Sequence, residues 1–475
     1  MAQSLATRAL RGVLWTGGSI AVQFAITLAF FKFLPPATMG QFQAALTLVL
    51  LLAFLGDLGM GAALVQLRRA EEHHFSAAFW ASATCGLLLV ALAPLTGPLV
   101  ARFTEDPNAF ERTFSPLAWL IPFAAASGPL RARLQRDLRF RALALVEVAA
   151  SAAGALVGLG VLLGGGGIWS PILSAVSREI FHMVLLWLRS GWYPRFDCRF
   201  ADLRQLLGFG LNTTGANIVN YLNNNLDYLF VLYFMGYETL GYYAFAYRCT
   251  MQPYSRVATA IARVSFPVFA NVQDNSELLR RGYLKTIVSV ALAAWPLLCG
   301  MLIFGEDIIY WVRPDLMPAL AAFQILVLTS LCKTVGTVVG SIYLAKGKAH
   351  WAFRFTLFSL AAMLPGLYWG TAYGPAGIAA ALFGLSVFFL IVSQYLVNRL
   401  IDLSFAEYLR SLARPLAVAL WVLMVLAFYR TYAAPEGLGT LVLAGPVAAA
   451  AYILGLRVLA WDLCREYWNN FRGQS

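Results

Sequence analysis

Residues 211–267 decide the fold, and they read LNTTGANIVNYLNNNLDYLFVLYFMG (211–236), YETLG (237–241) and YYAFAYRCTMQPYSRVATAIARVSFP (242–267). The first and third pieces are long and apolar enough to cross a bilayer as helices, and the second is a short turn between them. Each helix nevertheless carries a polar face that covers an arc of about 80°. These faces consist of Asn212, Asn220, Asn223 and Asp227 on the first helix, and of Arg248, Gln252, Arg256, Thr259 and Arg263 on the second.

The three arginines on one face of a membrane-spanning helix are costly, because each costs at least about 2.5–3.5 kcal/mol at the bilayer centre. They must therefore face a partner helix or a water-filled cavity rather than lipid. Guanidinium groups match the geometry of phosphate, so a cavity lined by them favours an anionic ligand. The alternative is that they pair with Asp57, Asp227 and helix carbonyl groups and only hold the helices together. We favour the ligand, because three spaced cations exceed the acidic residues available to neutralise them.

The composition indicates a polytopic membrane protein. Of the 475 residues, 60% are hydrophobic and only 12% are charged, with a mean hydropathy of +0.70, whereas a soluble chain carries about 25% charged residues. The net charge of +12 would point to nucleic acid in a soluble protein. Here the basic residues stand in short loops between apolar runs, so they are topology signals and no nucleic-acid partner is predicted.

Runs of about 20 apolar residues give fourteen predicted transmembrane helices. They lie at 9–34, 40–66, 74–98, 114–132, 143–164, 167–188, 207–235, 239–269, 282–304, 317–343, 351–371, 375–397, 411–431 and 438–458. Of the 35 lysines and arginines, 25 fall in one set of loops or within a few residues of it, and only four in or next to the alternate set. Because basic loops of membrane proteins stay in the cytoplasm, both termini are predicted to be cytoplasmic.

An internal repeat supports a division into two halves of six spans. The segment LPPATMGQFQAA (34–45) resembles MGYETLGYYAFA (235–246), with Gly40 matching Gly241 at an offset of 201 residues. Six spans per copy is an even number, so the copies share one orientation, as in transporters that bind substrate between two lobes. The predicted parts are an N-terminal lobe (1–190), a cytoplasmic connector (191–206), a C-terminal lobe (207–398), two additional transmembrane helices (399–460) and an amphipathic cytoplasmic tail (461–475).

Further ionisable residues inside the predicted spans are candidate functional groups. Asp57 stands in GDLGMG, whose glycines mark a kink or a close helix approach. It binds a proton or Na⁺, or it caps the broken helix, or it pairs with an arginine. Arg178 is a candidate cavity residue, and its neighbour Glu179 is expected to pair elsewhere because adjacent helix residues point about 100° apart. Lys333 is a deep cation in the tenth span, and Glu147 is expected to pair with the inner basic loop.

Enzyme signatures do not occur in the sequence. It contains no P-loop, no His/Glu metal motif and no G-x-S-x-G motif, and GGGG (164–167) is predicted to be a tight turn between helices. The six cysteines have neither pairing nor metal-ligand spacing. We therefore predict that the protein is not an enzyme and has no metal or other cofactor.

Six segments resemble, in order, the Wzx-type polysaccharide flippases of the MOP superfamily, above all the subgroup that handles lipopolysaccharide and exopolysaccharide repeat units. The resemblance covers roughly residues 8–400 and rests on the order and spacing of the segments. The segments are GDLGMGAALVQ (56–66), LQRDLRFRALALVEVAA (134–150), GGGIWSPILSAV (165–176), LNNNLDYLFV (222–231), LGYYAFAYRCTMQP (240–253) and RVSFPVFANVQD (263–274).

The resemblance implies two six-helix lobes around a central cavity, plus two further helices, in the bacterial inner membrane. It implies transfer of undecaprenyl-pyrophosphate-linked oligosaccharide from the cytoplasmic to the periplasmic leaflet, with membrane lipids and the polysaccharide polymerase or export machinery as further partners. The family tends to use basic cavity residues. The matching candidates for substrate binding here are Arg178, Arg248, Arg256, Arg263 and Lys333, and the amides that suit a hydroxyl-rich glycan are Asn220, Asn223 and Gln252.

An ion gradient is the predicted driving force, because the chain has no nucleotide motif. The deep acids that could carry H⁺ or Na⁺ are Asp57, Glu179 and Asp227. Asp227 is favoured among them, because the amide oxygens of Asn220, Asn223 and Asn224 can complete an oxygen shell for a cation, although an ion pair with Arg248 is the simpler role for Asp227. Two other functions compete with this prediction. A MATE-like multidrug exporter would need acidic cavity residues, and a membrane glycan polymerase or ligase would need a large outer catalytic loop. Deep cations outnumber deep acids and no outer loop is large, so both alternatives are disfavoured.

Overall fold

The computed structural model describes residues 22–102, 104–196, 199–432, 438–462 and 465. All regular secondary structure in these residues is helical, which confirms the prediction of an all-α polytopic membrane protein. The helices are α1 (Val22–Phe33), α2 (Pro36–Asp57), α3 (Met60–Gln66), α4 (Glu72–Ala101), α5 (Pro107–Ala118), α6 (Leu120–Arg136), α7 (Phe140–Leu163), α8 (Trp169–Ser190), α9 (Phe200–Asn271), α10 (Ser276–Ile303), α11 (Gly305–Val312), a 3₁₀ helix (Pro314–Ala319), α12 (Leu320–Gly336), α13 (Val339–Ala345), α14 (Ala349–Thr371), α15 (Gly374–Leu400), α16 (Phe405–Tyr432) and α17 (Leu438–Leu459).

The predicted transmembrane segments all fall on helices. For the first of them, predicted at 9–34, this statement applies to the residues from 22 onward, which the structure describes. Within the described ranges, nine stretches are long and apolar enough to cross a membrane by length and composition alone. Three predicted spans are not single helices. The second consists of α2 and α3, the fourth of α5 and α6, and the tenth of the 3₁₀ helix, α12 and α13.

The predicted kink in GDLGMG is present as a complete helix break. Helix α2 ends at Asp57, and Leu58 and Gly59 then adopt left-handed φ angles of 51° and 64° before α3 begins. A β-carbon at Gly59 would meet the carbonyl oxygen of Gly210, so the backbone of α9 packs directly on the break. Glycine is required on both sides of this contact, because any side chain would push the two backbones apart.

Helix α9 contains residues 211–267, and it is interrupted at Gly236. This residue has φ 79° and ψ −173°, a conformation that is essentially restricted to glycine. We call residues 200–235 α9a and residues 237–271 α9b. The loop between α4 and α5 covers the break, because the Tyr237 N–H donates to Glu105 Oε2 at 3.3 Å and the Tyr237 hydroxyl donates to the Asp106 carbonyl oxygen at 3.2 Å.

Gly40 and Gly241, the matched glycines of the predicted repeat, form a reciprocal contact. A β-carbon at Gly40 would meet the carbonyl oxygen of Tyr237, and one at Gly241 would meet the carbonyl oxygen of Pro36. Pro36 begins α2 and Tyr237 begins α9b, and these two residues are also 201 positions apart. The contact therefore supports the repeat independently of the sequence match, because both use the same offset.

The connector between α8 and α9 is held against one face of α4. Trp192 Nε1 donates to Glu72 Oε2, the Arg195 N–H donates to Ser76 Oγ, and Trp80 Nε1 donates to the Arg195 carbonyl oxygen, each at 3.1 Å. The three α4 residues are spaced four apart, so they lie on the same side of the helix. Trp192 and Arg195 therefore attach the start of the connector to α4. Helix α9 begins at Phe200, inside the range 191–206 that was predicted for the connector.

The chain divides into two compact units, one up to Ala244 and one from Phe245 onward. Each has an apolar core, which includes Met60 and Leu130 in the first unit and Tyr283 and Ile342 in the second. The lobe boundaries stay a prediction, because a lobe is defined by how it moves and not by its packing in one conformation. The predicted amphipathic tail lies almost entirely outside the described residues.

Candidate functional site

The predicted polar face of α9a is in part uncovered by protein. Asn220 and Asn224 are exposed and Asn223 is half-buried, and Asn224 Nδ2 donates to the Asn220 carbonyl oxygen at 2.7 Å. On the neighbouring side of the helix, the Tyr221 hydroxyl donates to the Thr47 carbonyl oxygen of α2 at 2.8 Å. Exposed amides on a membrane-spanning helix are unfavourable against hydrocarbon, so this face of α9a is suited to a water-containing space.

Asp227 is the buried end of this face, with 1% relative exposure. Its Oδ2 accepts a hydrogen bond from the Tyr243 hydroxyl at 2.8 Å, and the Tyr243 ring meets Tyr228 edge-on. Tyr243 belongs to α9b, so the bond joins the two halves of α9 across the break at Gly236. A buried carboxylate in this position can stabilise the break, and its predicted roles as an ion carrier or as the partner of Arg248 stay predictions.

The predicted cationic helices α9b and α12 are in direct contact within the second unit. Ser330 Oγ of α12 lies 3.3 Å from the Thr250 carbonyl oxygen of α9b and donates to it. Arg248 and Gln252 flank Thr250, and Lys333 follows Ser330 by about one turn, and all three are half-buried. The fold thus places the helices that carry these three candidates side by side.

Arg256 and Arg263 extend the same helix. Their backbones are helical, about two and four turns after Arg248, while their side chains lie outside the described part of the chain. The helical backbone has the spacing on which the cationic face was predicted, and the face itself and the contacts of these two guanidinium groups stay predictions.

The two stretches of the second unit that contain these cations have no acidic residue in their sequence. Neither residues 245–273 nor residues 316–401 contain an aspartate or a glutamate. Up to residue 432, the acids of this unit lie in loops or first helical turns, and they are Asp274, Glu277, Glu306, Asp307, Asp315, Asp402 and Glu407. The central parts of α9b, α12, α14 and α15 therefore contain only positive or neutral side chains.

Arg178 lies at the centre of an ionisable cluster between α7 and α8 in the first unit. Its guanidinium donates to Glu147 Oε1 at 2.7 Å and also to Glu179. His182 is 3% exposed, with Nε2 3.4 Å from Glu147 Oε2 and Nδ1 3.9 Å from Glu179 Oε2. Two carboxylates therefore share one guanidinium and one imidazole inside apolar helices.

This cluster corrects two expectations. Glu179 does not pair elsewhere, because the long Arg178 side chain reaches back to its neighbour although the two residues leave the helix in different directions. Glu147 pairs with Arg178 rather than with the inner basic loop. The helices approach closely enough for this pair because Gly154 faces Arg178, where a β-carbon would meet its side chain.

His182 is the member of the cluster that the sequence argument missed as a partner. The available signal was its spacing, since it follows Glu179 by three residues and Arg178 by four and so lies on the same side of α8. No local signal pointed to the α7 carboxylate, because Glu147 is 31 residues from Arg178.

Asp57 lies at the end of α2, as a capping residue would. Its carboxylate accepts a hydrogen bond from the Gly59 N–H. Its Oδ1 is buried and has no hydrogen-bond partner among the described residues, and it faces Gly128 of α6. The Gly59 bond agrees with the capping alternative, whereas binding of a proton or Na⁺ at this carboxylate stays a prediction.

Comparison with known proteins extends these observations. The family model described as "Polysaccharide biosynthesis protein" matches residues 30–312. Teichuronic acid biosynthesis protein TuaB of Bacillus subtilis (strain 168) is 26% identical over 371 residues, which cover 76% of each chain. Lipopolysaccharide biosynthesis protein WzxC of Escherichia coli (strain K12) is 24% identical over 400 residues, which cover 81% of this chain and 79% of that protein.

Solved structures show the fold. The lipid II flippase MurJ in an inward closed conformation aligns with a TM-score of 0.79 at 15% identity, covering 96% of this chain and all of that one. An inward-facing MATE-family multidrug resistance transporter of the MOP superfamily aligns with a TM-score of 0.63 at 14% identity, covering 81% and 96%. The relatives and the fold confirm the resemblance to Wzx-type flippases of the MOP superfamily. The family model matches more than half of the chain, and the chain therefore belongs to the polysaccharide biosynthesis protein family.

Proposed function

We propose that this protein moves undecaprenyl-pyrophosphate-linked oligosaccharide repeat units from the cytoplasmic to the periplasmic leaflet of the bacterial inner membrane. Its relatives are named for the biosynthesis of teichuronic acid and lipopolysaccharide, and its fold is that of a lipid II flippase. A lipid pyrophosphate cannot cross hydrocarbon unaided, because removing its charges from water costs many kcal/mol. The protein must therefore replace the hydration of the pyrophosphate with its own polar and basic groups, while the polyprenyl chain stays in lipid.

The observation that carries this proposal is the sign of the charge inside the second unit. Arg248, Arg256, Arg263 and Lys333 lie on the adjoining helices α9b and α12, and the deep parts of the second unit contain no carboxylate. The net charge of these parts of the second unit is therefore positive, whatever contacts the individual side chains make. Guanidinium groups bind phosphate oxygens in a bidentate manner, so a pyrophosphate is the ligand that this charge pattern fits best.

Amide side chains are the proposed contacts for the glycan. Asn220 and Asn223 in the first unit, and Gln252 in the second unit, can each donate and accept hydrogen bonds, as the hydroxyl groups of a glycan require. Such contacts depend little on the particular sugar. Amides therefore suit a transporter that binds an oligosaccharide and releases it again on the other side of the membrane.

Arg178 has a different part in the proposal. Because Glu147 and Glu179 already share its guanidinium, the cluster has one negative charge more than positive charge when His182 is neutral. Arg131 on α6 acts on Glu147 and His182 from a distance and is itself exposed to solvent. A cluster with an excess carboxylate does not attract pyrophosphate, but it can take up a proton. We therefore assign the cluster around Arg178 to ion coupling. Among the ion-coupling candidates, we prefer Glu179 to Asp57 and Asp227.

A multidrug exporter is the main alternative, since MATE-family transporters share the fold. Organic cations need acidic groups in the cavity. The acid-free interior of the second unit opposes this alternative, and we do not propose it. A polymerase or ligase is opposed by the short loops between the described helices, none of which could form a catalytic domain.

The test of the proposed function is the variant Arg256→Ala, because this residue is central on the cationic face. We expect loss of surface polysaccharide in a strain whose only copy is the variant, with normal amounts of protein in the membrane. Purified variant should bind undecaprenyl pyrophosphate about tenfold to a hundredfold more weakly, since a hydrogen bond to a charged group contributes about 1.5–3 kcal/mol.

The matched control is Arg281→Ala, which removes an exposed arginine that pairs with Glu277 one turn away on α10. It should leave export and binding unchanged. Normal surface polysaccharide in the Arg256→Ala strain would contradict the proposal. Loss of export with unchanged pyrophosphate binding would contradict the role assigned to the cationic face while leaving flipping itself possible by another route.

A further inference from the structure

A cluster of metal-ligating side chains lies outside the site described so far, at the start of α4 and the start of α9. His73 and His74 belong to the first turn of α4, and Asp202 belongs to the first turn of α9. Each can offer one ligand atom, and these atoms all lie within 4.8 Å of one another. His73 Nε2 is 3.5 Å and His74 Nε2 is 3.9 Å from Asp202 Oδ1.

The burial of Asp202 is what distinguishes this cluster from a surface ion pair. The residue is only 8% exposed, and its Oδ2 has no hydrogen-bond partner among the described residues. A buried carboxylate oxygen without a donor is costly, so a cation bound at this carboxylate would stabilise it. His74 is equally buried, and His73 is half-buried beside it.

We propose that His73, His74 and Asp202 form a binding site for a divalent transition-metal ion of the Zn²⁺ type. Two imidazoles and one carboxylate are ligands that Zn²⁺ accepts, with bonds of about 2.0–2.2 Å. Tetrahedral bonds of that length place the ligand atoms about 3.3 Å apart. The ligand atoms, which lie within 4.8 Å of one another, would therefore have to approach by up to about 1.5 Å when the ion binds.

The surroundings of His73 agree with this assignment. Its Nδ1 lies 3.6 Å from Glu71 Oε2, while its Nε2 faces Asp202. Metal-bound histidines characteristically donate their other ring N–H to a carboxylate, which fixes the ring and the tautomer. A cavity of about 590 Å³ lined by Glu71 and His73 opens beside the cluster and gives an ion access to it. Arginines and acidic residues line this cavity in equal number, so it does not repel cations as a whole.

One contact must change when the ion binds. His74 Nδ1 accepts a hydrogen bond from the Glu71 N–H at 3.2 Å, and metal binding through Nε2 would place a proton on that nitrogen. Glu71 is exposed, so water can take over its N–H. The site would join the first turns of α4 and α9, next to the connector contacts at Glu72 and Ser76, and it is independent of what the protein transports.

The experiment is a titration of the purified full-length protein, without a histidine tag, with Co²⁺ as a spectroscopic substitute for Zn²⁺. We expect saturable binding of one Co²⁺ with the absorption of a tetrahedral complex, which Zn²⁺ displaces. His73→Ala and Asp202→Asn should each weaken binding at least about tenfold. His350→Ala is the matched control, since this exposed histidine lies in the first turn of α14 and should not affect binding.

Several results would overturn the assignment. They include a wild-type protein that gives no saturable Co²⁺ spectrum, or an Asp202→Asn variant with unchanged affinity. A pH-dependent change in thermal stability that Asp202→Asn removes, without any metal binding, would make the cluster a histidine–aspartate ion pair and would equally reject the metal. If Asp202→Asn does not fold, the wild-type titration and His73→Ala, at a half-buried position, still decide the question.

Discussion

At the scale of single residues, the cluster around Arg178 predicts how transport responds to a proton gradient. The variant Glu179→Gln leaves one carboxylate, Glu147, for one guanidinium, so the cluster no longer has an excess carboxylate to protonate. We expect transport in proteoliposomes to lose its dependence on an imposed pH gradient, with at least a tenfold lower rate under the gradient. Binding of undecaprenyl pyrophosphate should persist, because the cationic face lies on other helices.

The matched control for this prediction is Glu277→Gln. It removes the exposed carboxylate that pairs with Arg281 and should not affect coupling, because a solvated pair of this kind contributes little. A Glu179→Gln protein that transports normally and responds to the gradient as the wild type does would exclude Glu179 as the coupling residue.

At the scale of helices, the contact between α2 and α9b predicts the effect of a single methyl group. In Gly40→Ala the β-carbon would meet the Tyr237 carbonyl oxygen, so α2 and α9b must move apart. We expect a loss of about 1–3 kcal/mol in the free energy of unfolding, measured by thermal or denaturant unfolding in detergent. Gly241→Ala should behave in the same way, because its β-carbon would meet the equivalent carbonyl oxygen of Pro36.

Gly215→Ala makes the same substitution in an open position of α9a, where no atom lies near the new β-carbon. It should be neutral or stabilise the protein by up to about 1 kcal/mol, since alanine is the better helix former. Equal stability changes for Gly40→Ala and Gly215→Ala would mean that the glycine contact does not limit packing.

The helices themselves could be predicted from the sequence, because hydrophobic periodicity and span length are local signals. The GDLGMG break was predicted from its glycines. The structure adds that Gly59 must lack a side chain because the backbone of Gly210 packs against it. The pairing of polar residues could not be predicted in this way. Glu147 lies 31 residues from Arg178, and no pattern of spacing connects His73 with Asp202, because such pairs form only when separate helices pack.

At the scale of the whole chain, the distribution of basic residues predicts the topology. We expect Asp315→Cys to react with a membrane-impermeant thiol reagent from the periplasmic side and Arg69→Cys only from the cytoplasmic side, in a background without the six native cysteines. Both side chains are exposed, so accessibility should report their side of the membrane. Labelling of both from the same side would contradict the predicted orientation.

The reciprocal contact of Gly40 with Tyr237 and of Gly241 with Pro36 has a consequence for the origin of the chain. Gly40 corresponds to Gly241 in the repeat, and Pro36 corresponds to Tyr237, so the same two positions make both contacts with their roles exchanged. A contact of this kind is called isologous and occurs at the two-fold axis of a homodimer. At this point the single chain repeats the geometry of two identical subunits. Such an arrangement follows naturally from the fusion of duplicated genes whose product already assembled through this glycine, so the interface would be older than the chain that now contains it.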